Sequence, residues 1–217
     1  MLLLQTVKNA DVSLSIVELV QKGGWIMAPI LVLLGLTIFF FVERVLNIRA
    51  AAAVDANFVN SIIAELRKGD LKAAMTIAQG SETAMGRIIQ SGLMVIGGSV
   101  GEIEGTMETA TSIEVSRMEK NTGYLGMIAG VAPMLGFIGT ISGIIRIFYS
   151  ISTSGEFGIT TIAGGLYEKM ITSGAGLFVG LIAYVGYHVL QLMIDKFTFN
   201  VQQGVFKFLL ELQRKNV

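Results

Sequence analysis

Three stretches of this chain carry no charged side chain over the length a helix needs to cross a bilayer. That constrains the fold more than anything else in the sequence. A spanning helix takes roughly 20 mostly apolar residues. Trp25 to Val42, Tyr124 to Ile145 and Met170 to Met193 qualify, flanked by Lys22 and Glu43-Arg44, by Lys120 and Arg146, and by Lys169 and Asp195. The first, at 18 residues, is near the lower limit, about 27 Å long at the helical rise. A signal peptide is the competing reading, with Ala50 to Ala53 imitating a cleavage site. Signal peptides, however, have an apolar region of about 7–15 residues behind a basic one. Here Lys8 and Lys22 are offset by Asp11 and Glu18, so the stretch is read as a retained span.

Composition agrees. Hydrophobic residues make up 53% and charged ones only 15%, against about 25% charged in soluble domains. Disorder is excluded, because disordered chains are apolar-poor and charge-rich. Lys plus Arg and Asp plus Glu are both 16, so no excess positive charge invites nucleic acid. The absence of cysteine removes disulfides and thiolate metal sites. No metal-ligand spacing or cofactor motif is visible.

The expected architecture is an all-α integral membrane protein with three transmembrane helices, its long helices extending into a cytoplasmic helical domain. The expected order is a periplasmic segment 1–24, a first span 25–42, a cytoplasmic domain 43–123, a second span 124–145, a short periplasmic loop 146–169, a third span 170–193 and a cytoplasmic helix 194–217. With the N-terminus periplasmic, the two inner segments hold 12 of the 16 Lys and Arg, in the sense of the positive-inside rule. Within 43–123, Gly69-Asp70, Gly80-Ser81 and Gly97-Gly98-Ser99 each read as a helix stop followed by a polar N-cap. Ser99 and Glu102 form a capping box. The stripe Met107, Thr111, Val115, Met118, Thr122, Leu125 then keeps helical spacing into the membrane. It predicts one continuous helix over about 100–145, with Glu104, Glu108 and Glu119 on its other face.

No Asp, Glu, Lys or Arg lies inside a span, so this chain alone has no mid-membrane acid to hold and release a proton. It has hydroxyls instead: Thr140 and Ser142 in the second span, Thr172 and Ser173 in the third. Either they bond back to their own helix carbonyls or they form a polar stripe facing a lumen. Gly126-x-x-x-Gly130, Gly139-x-x-x-Gly143 and Gly176-x-x-x-Gly180 are small-residue pairs that let helices approach closely, and they predict an oligomer of densely packed helices. Pro133 frees a backbone carbonyl deep in the second span, which a neighbour or water must satisfy.

The run Ala132-Pro133-Met134-Leu135-Gly136-Phe137-Ile138-Gly139-Thr140-Ile141-Ser142-Gly143-Ile144 resembles the second-span motif A-P-x-x-G-x-x-G-T-x-x-G-[IM] of the ExbB/TolQ proton-channel family, most like ExbB. Glu168-Lys169-Met170-Ile171-Thr172-Ser173-Gly174-Ala175-Gly176-Leu177 is similar to that family's E-A-L-x-x-T-x-x-G-L. The resemblance covers nearly the whole chain, and the paired motifs are specific. It implies a homo-oligomer, a pentamer, around single-span helices of an ExbD/TolR-like partner in the bacterial inner membrane. It further implies proton flow that drives a TonB- or TolA-like protein for outer-membrane transport or integrity. The family's pore threonine falls on Thr140, its third-span hydroxyl on Ser173 beside Thr172, and its glutamate on Glu168. The glycines Gly136, Gly139, Gly143, Gly176 and Gly180 would shape the pore together with Pro133. Departures are Ser173 where Thr is usual, Ile182 where proline is common, and His188 after Tyr187 where Asn is typical.

The titrating carboxylate is then expected on the partner helix, with Thr140, Thr172 and Ser173 bonding it or water. Glu168, one turn outside Thr172, would collect protons or sit as a solvated interfacial carboxylate beside Lys169. His188 is either a relay or an inter-helix hydrogen-bonder. Catalysis is not expected: Ser173 and His188 are 15 residues apart, about 22 Å along one helix. No internal repeat suggests a secondary transporter, and a MotA-type stator would need four spans. A passive assembly scaffold is the remaining alternative.

Overall fold

The computed structural model describes residues 23–53, 57–154 and 158–215. Most of the expected periplasmic segment 1–24 therefore lies outside the described residues. Among the described residues seven helices follow in order: α1 Met27–Ala52, α2 Phe58–Lys68, α3 Leu71–Gln79, α4 Ala84–Met94, α5 Val100–Glu119, α6 Thr122–Ser154 and α7 Ile159–Lys215. Among the described residues there is no strand, only an isolated bridge between Ile96 and Gly98. Helices α1, α6 and α7 are long and apolar enough to cross a membrane. The chain is an all-helical integral membrane protein.

The spans are longer than their uncharged stretches. Most of the expected loop 146–169 is helical, because α6 runs on to Ser154 and α7 starts at Ile159. The third span and the expected C-terminal helix are one 57-residue helix. With Ile182 in place of a proline, nothing removes a backbone donor there.

The predicted single helix over 100–145 is corrected: it breaks at Lys120-Asn121. Lys120 turns to ψ 130 and Asn121 has φ 67, the left-handed region that Asn tolerates better than most residues. The break leaves orphan carbonyls, and side chains satisfy two of them. Arg44 Nη1, on a largely buried side chain, donates to the Lys120 carbonyl at 2.8 Å, and the Thr122 hydroxyl donates to Glu119 at 2.7 Å. The apolar stripe nevertheless continues, with Met107, Met118, Thr122 and Leu125 all buried.

The short helices stop and start nearly where glycine and polar caps predict. Gly69 takes φ 84 after α2, and the Asp70 side chain accepts from the Ala73 amide. Ser99 accepts from the Glu102 amide at the start of α5. At Gly80-Ser81 the cap is displaced: Gly80 stays right-handed and Thr83 caps α4. Ser81 instead shares a 2.7 Å hydrogen bond with the Thr83 hydroxyl.

The chain divides into two compact units. One comprises Met1–Gly35 and Ile128–Leu181, its core built from Ile26, Met27, Ile30, Ala132 and Val179. The other comprises Leu36–Met127 and Ile182–Val217. Its core joins Ile62, Ile88, Ile89, Leu93 and Met107 of the short helices to Leu190, Ile194, Val201 and Phe208 of α7.

Candidate functional site

Within the first unit, α6 and α7 meet along a face made almost wholly of small residues. On α6 the buried positions in this unit are Ile128, Ala132, Gly136, Gly139 and Gly143, spaced to fall on one side of a helix. Met134, Phe137, Ile138 and Ile141 lie exposed on the other side, as lipid or a neighbouring helix requires. On α7, Thr172, Gly176, Val179 and Gly180 are buried, while Met170, Leu177, Phe178 and Leu181 are exposed.

The glycines are there because nothing larger fits. A Cβ on Gly176 would stand 2.6 Å from the Ala132 carbonyl and 2.9 Å from Gly136 Cα, backbone that cannot yield. One on Gly136 would stand 3.0 Å from the Ser173 carbonyl. One on Gly180 would meet Pro133 Cγ at 2.6 Å and the Ala129 carbonyl at 3.0 Å. That carbonyl is the one whose helical donor Pro133 lacks. At Gly143 the neighbour is the Lys169 side chain. In this structure the glycines expected to bring subunits together bring α6 and α7 of one chain together. Gly130 has no neighbour around its Cβ position, and Gly126 faces Tyr187.

The hydroxyls separate into two kinds. Thr140, half-buried beside this face, donates to the Phe137 carbonyl of its own helix at 2.7 Å. Ser142 makes a longer bond of the same type, 3.4 Å to Gly139. Thr172 is only 1% exposed, and its hydroxyl leaves its own helix to donate to the Gly23 carbonyl at 2.8 Å. Ser173 is half-buried, one residue along. The structure thus brings Thr172 together with Gly139 and Gly23, and places Ser173 backbone against Gly136. The Glu168 backbone lies in α7, but its side chain is outside the described residues.

His188 lies exposed on α7, its ring edge-on to Tyr184 on the same helix at 4.3 Å between centroids. That is a packing contact. No group of acidic or His side chains that could hold a metal occurs among the described residues.

Sequence reasoning missed Glu114. Its side chain is 5% exposed. Arg87 grips it with Nε at 2.9 Å and Nη2 at 2.6 Å, and Arg117 adds a 2.7 Å bond. Burial opposes its charge, but the hydrogen bonds and charge of Arg87, with Arg117, hold its carboxyl below the usual carboxylate range. The signal was available, because Glu114 is seven residues after Met107 and four before Met118 on the buried stripe. Thr37, buried in α1, was missed as well; it is the hydroxyl of the first span.

Three apolar helices, two of them packed together through glycine and carrying hydroxyls but no Asp, Glu, Lys or Arg between their flanks, define a polytopic helical membrane protein. The MotA/TolQ/ExbB proton channel family matches over residues 80–203, more than half of the chain. The chain belongs to that family. It is 28% identical over 172 residues to an ExbB-like biopolymer transport protein of Synechocystis, covering 78% of this chain and 68% of that one. To an ExbB homologue of Methanothermobacter thermautotrophicus it is 26% identical over 183 residues, 83% of this chain and 64% of the other. To the Tol-Pal system protein TolQ of Haemophilus influenzae it is 30% identical over 96 residues, 43% of this chain and 42% of the other. The chain spans about two thirds of the length of the first two relatives.

Proposed function

We propose that this chain is the proton-channel subunit of an energy-transducing complex in a bacterial inner membrane. In this reading it forms a closed homo-oligomer, a pentamer, around the single-span helix of an ExbD/TolR-like partner. Proton flow through the assembly does work on a TonB- or TolA-like protein that acts on outer-membrane transport or integrity. The chain is a channel subunit rather than an enzyme.

The observation that carries this reading is the α6–α7 pair. It holds Thr140 and Ser173 at the edge of a glycine-packed face, in spans that hold no charge of their own. A proton driven across a membrane delivers about 2.3 kcal/mol per 100 mV, and capturing that energy needs a group that titrates within the membrane. Hydroxyls do not titrate, but they donate to a carboxylate. In this reading, as membership of the family implies, the acid comes from the partner helix, and Thr140 and Ser173 steady it when it is charged. The Thr140 bond to Phe137 is local, so rotation about χ1 frees its proton for the carboxylate. N-terminus outside and C-terminus inside is the orientation that fits the Lys and Arg distribution.

Proton uptake by liposomes tests the reading. Vesicles holding this chain with the single-span partner take up protons under an imposed potential, and Thr140→Val lowers the rate about tenfold or more, the worth of one hydrogen bond to a charged group. A passive scaffold takes up none in either case.

A further inference from the structure

We infer that Thr172 is a positioning residue, clasping the turn before α1 to the α6–α7 pair, while the adjacent Ser173 is the third-span hydroxyl that serves the proton route. The second half rests on the proposed channel function; the first stands on geometry alone.

A hydroxyl has one proton to donate. To stabilise a partner's carboxylate it must give that proton to the carboxylate. Thr172 has given its proton to the Gly23 carbonyl at 2.8 Å, across 149 residues of sequence and fully withdrawn from solvent. The carbonyl lies just before Gly24, whose φ of 72 reverses the chain so that the Met27 amide bonds back to Gly24 at 3.1 Å. The turn sets Ile26, Met27 and Ile30 into the core of the first unit, each no more than 5% exposed.

The methyl of the same threonine completes the contact. Thr172 Cγ2 lies 2.9 Å from the point a Gly139 Cβ would occupy, and Ile26 Cδ1 lies 3.7 Å from it. One side chain therefore fills the hollow over Gly139 and fastens the strand of chain that carries Ile26 over it. Gly139 precedes Thr140, so the clasp also sets the local packing beside the second-span hydroxyl. Ser173 has no methyl to fill that hollow and points off the Thr172 direction by about 100° on the helix. Thr140 differs too, since its bond stays within its own turn.

The chain has no cysteine, so a single reporter can be read cleanly. In nanodiscs holding the full chain, Ile26→Cys is protected from a water-soluble maleimide. Adding Thr172→Val, which keeps the shape and removes the donor, speeds labelling about fivefold or more, whereas Thr172→Ser retains protection. Ser173→Ala leaves Ile26→Cys protected and, in partner-containing liposomes, lowers proton uptake about tenfold. Ala74→Cys, a buried reporter in the other unit, stays protected with Thr172→Val. Unchanged protection of Ile26→Cys in the Val variant overturns the clasp, as does equal exposure of both reporters. Proton uptake that survives Ser173→Ala overturns the assignment to Ser173. A parent assembly that takes up no protons sinks the channel reading and leaves the labelling result to judge the clasp.

Discussion

Glu114 lies on the same stripe of α5 as Met107, Val115 and Met118, so its carboxylate is withdrawn from water where those side chains are. A carboxylate there needs partners or a proton, and Arg87 and Arg117 supply the partners. Glu114→Gln leaves the Arg87 fork without its charge and destabilises the helical domain by about 2 kcal/mol, read by thermal unfolding in detergent. The pH dependence has a definite sign. The folded carboxyl titrates below its unfolded value, so the stabilisation is present above the ordinary carboxylate pKa and is lost as pH falls through the folded value. The parent should lose stability on acidification over that window and Glu114→Gln should lose less. Equal acid sensitivity of the two would show that the pair contributes nothing to the pH response.

Elements obey packing limits that single residues do not reveal. The α6–α7 contact admits no side chain at Gly176, because the obstacles are the Ala132 carbonyl and Gly136 Cα. Gly176→Leu should therefore destabilise the first unit by about 1–3 kcal/mol, lowering the melting temperature, while the same change at Gly130, which faces open space, has little effect. At the α5–α6 break, Asn121→Gly should be close to neutral and Asn121→Val should cost about 1–2 kcal/mol, since a β-branched residue resists positive φ. Chemical denaturation of the pair measures it. The spans, the cap at Ser99 and the stop at Gly69 were legible because hydropathy and capping are local properties. The break at Lys120-Asn121 was not, because the apolar stripe runs through it and the Arg44 side chain that satisfies it comes from 76 positions away. The Thr172 bond to Gly23 was hidden for the same reason: adjacent hydroxyls look alike until a distant carbonyl takes the proton of one. The small-residue pairs were legible as close contacts, but their spacing does not say whether the partner helix belongs to the same chain or to another.

In assembling whole molecules, the feature that matters is the first unit's α6–α7 pair, with one face closed by glycine and the other carrying large apolar side chains. Phe137, Phe178, Leu177 and Leu181 remain exposed on α6 and α7, which suits lipid, further copies and a partner helix. Native mass spectrometry in mild detergent should therefore give a closed oligomer; a monomer would contradict the proposed assembly. The central claim is a division of labour in which this chain supplies donors and another polypeptide supplies the acid. Voltage-driven proton uptake into liposomes tests it most directly, comparing this chain alone with this chain plus its single-span partner. The account predicts no uptake above that of empty vesicles for the chain alone and robust uptake for the pair. Full voltage-coupled uptake by the chain alone would contradict it.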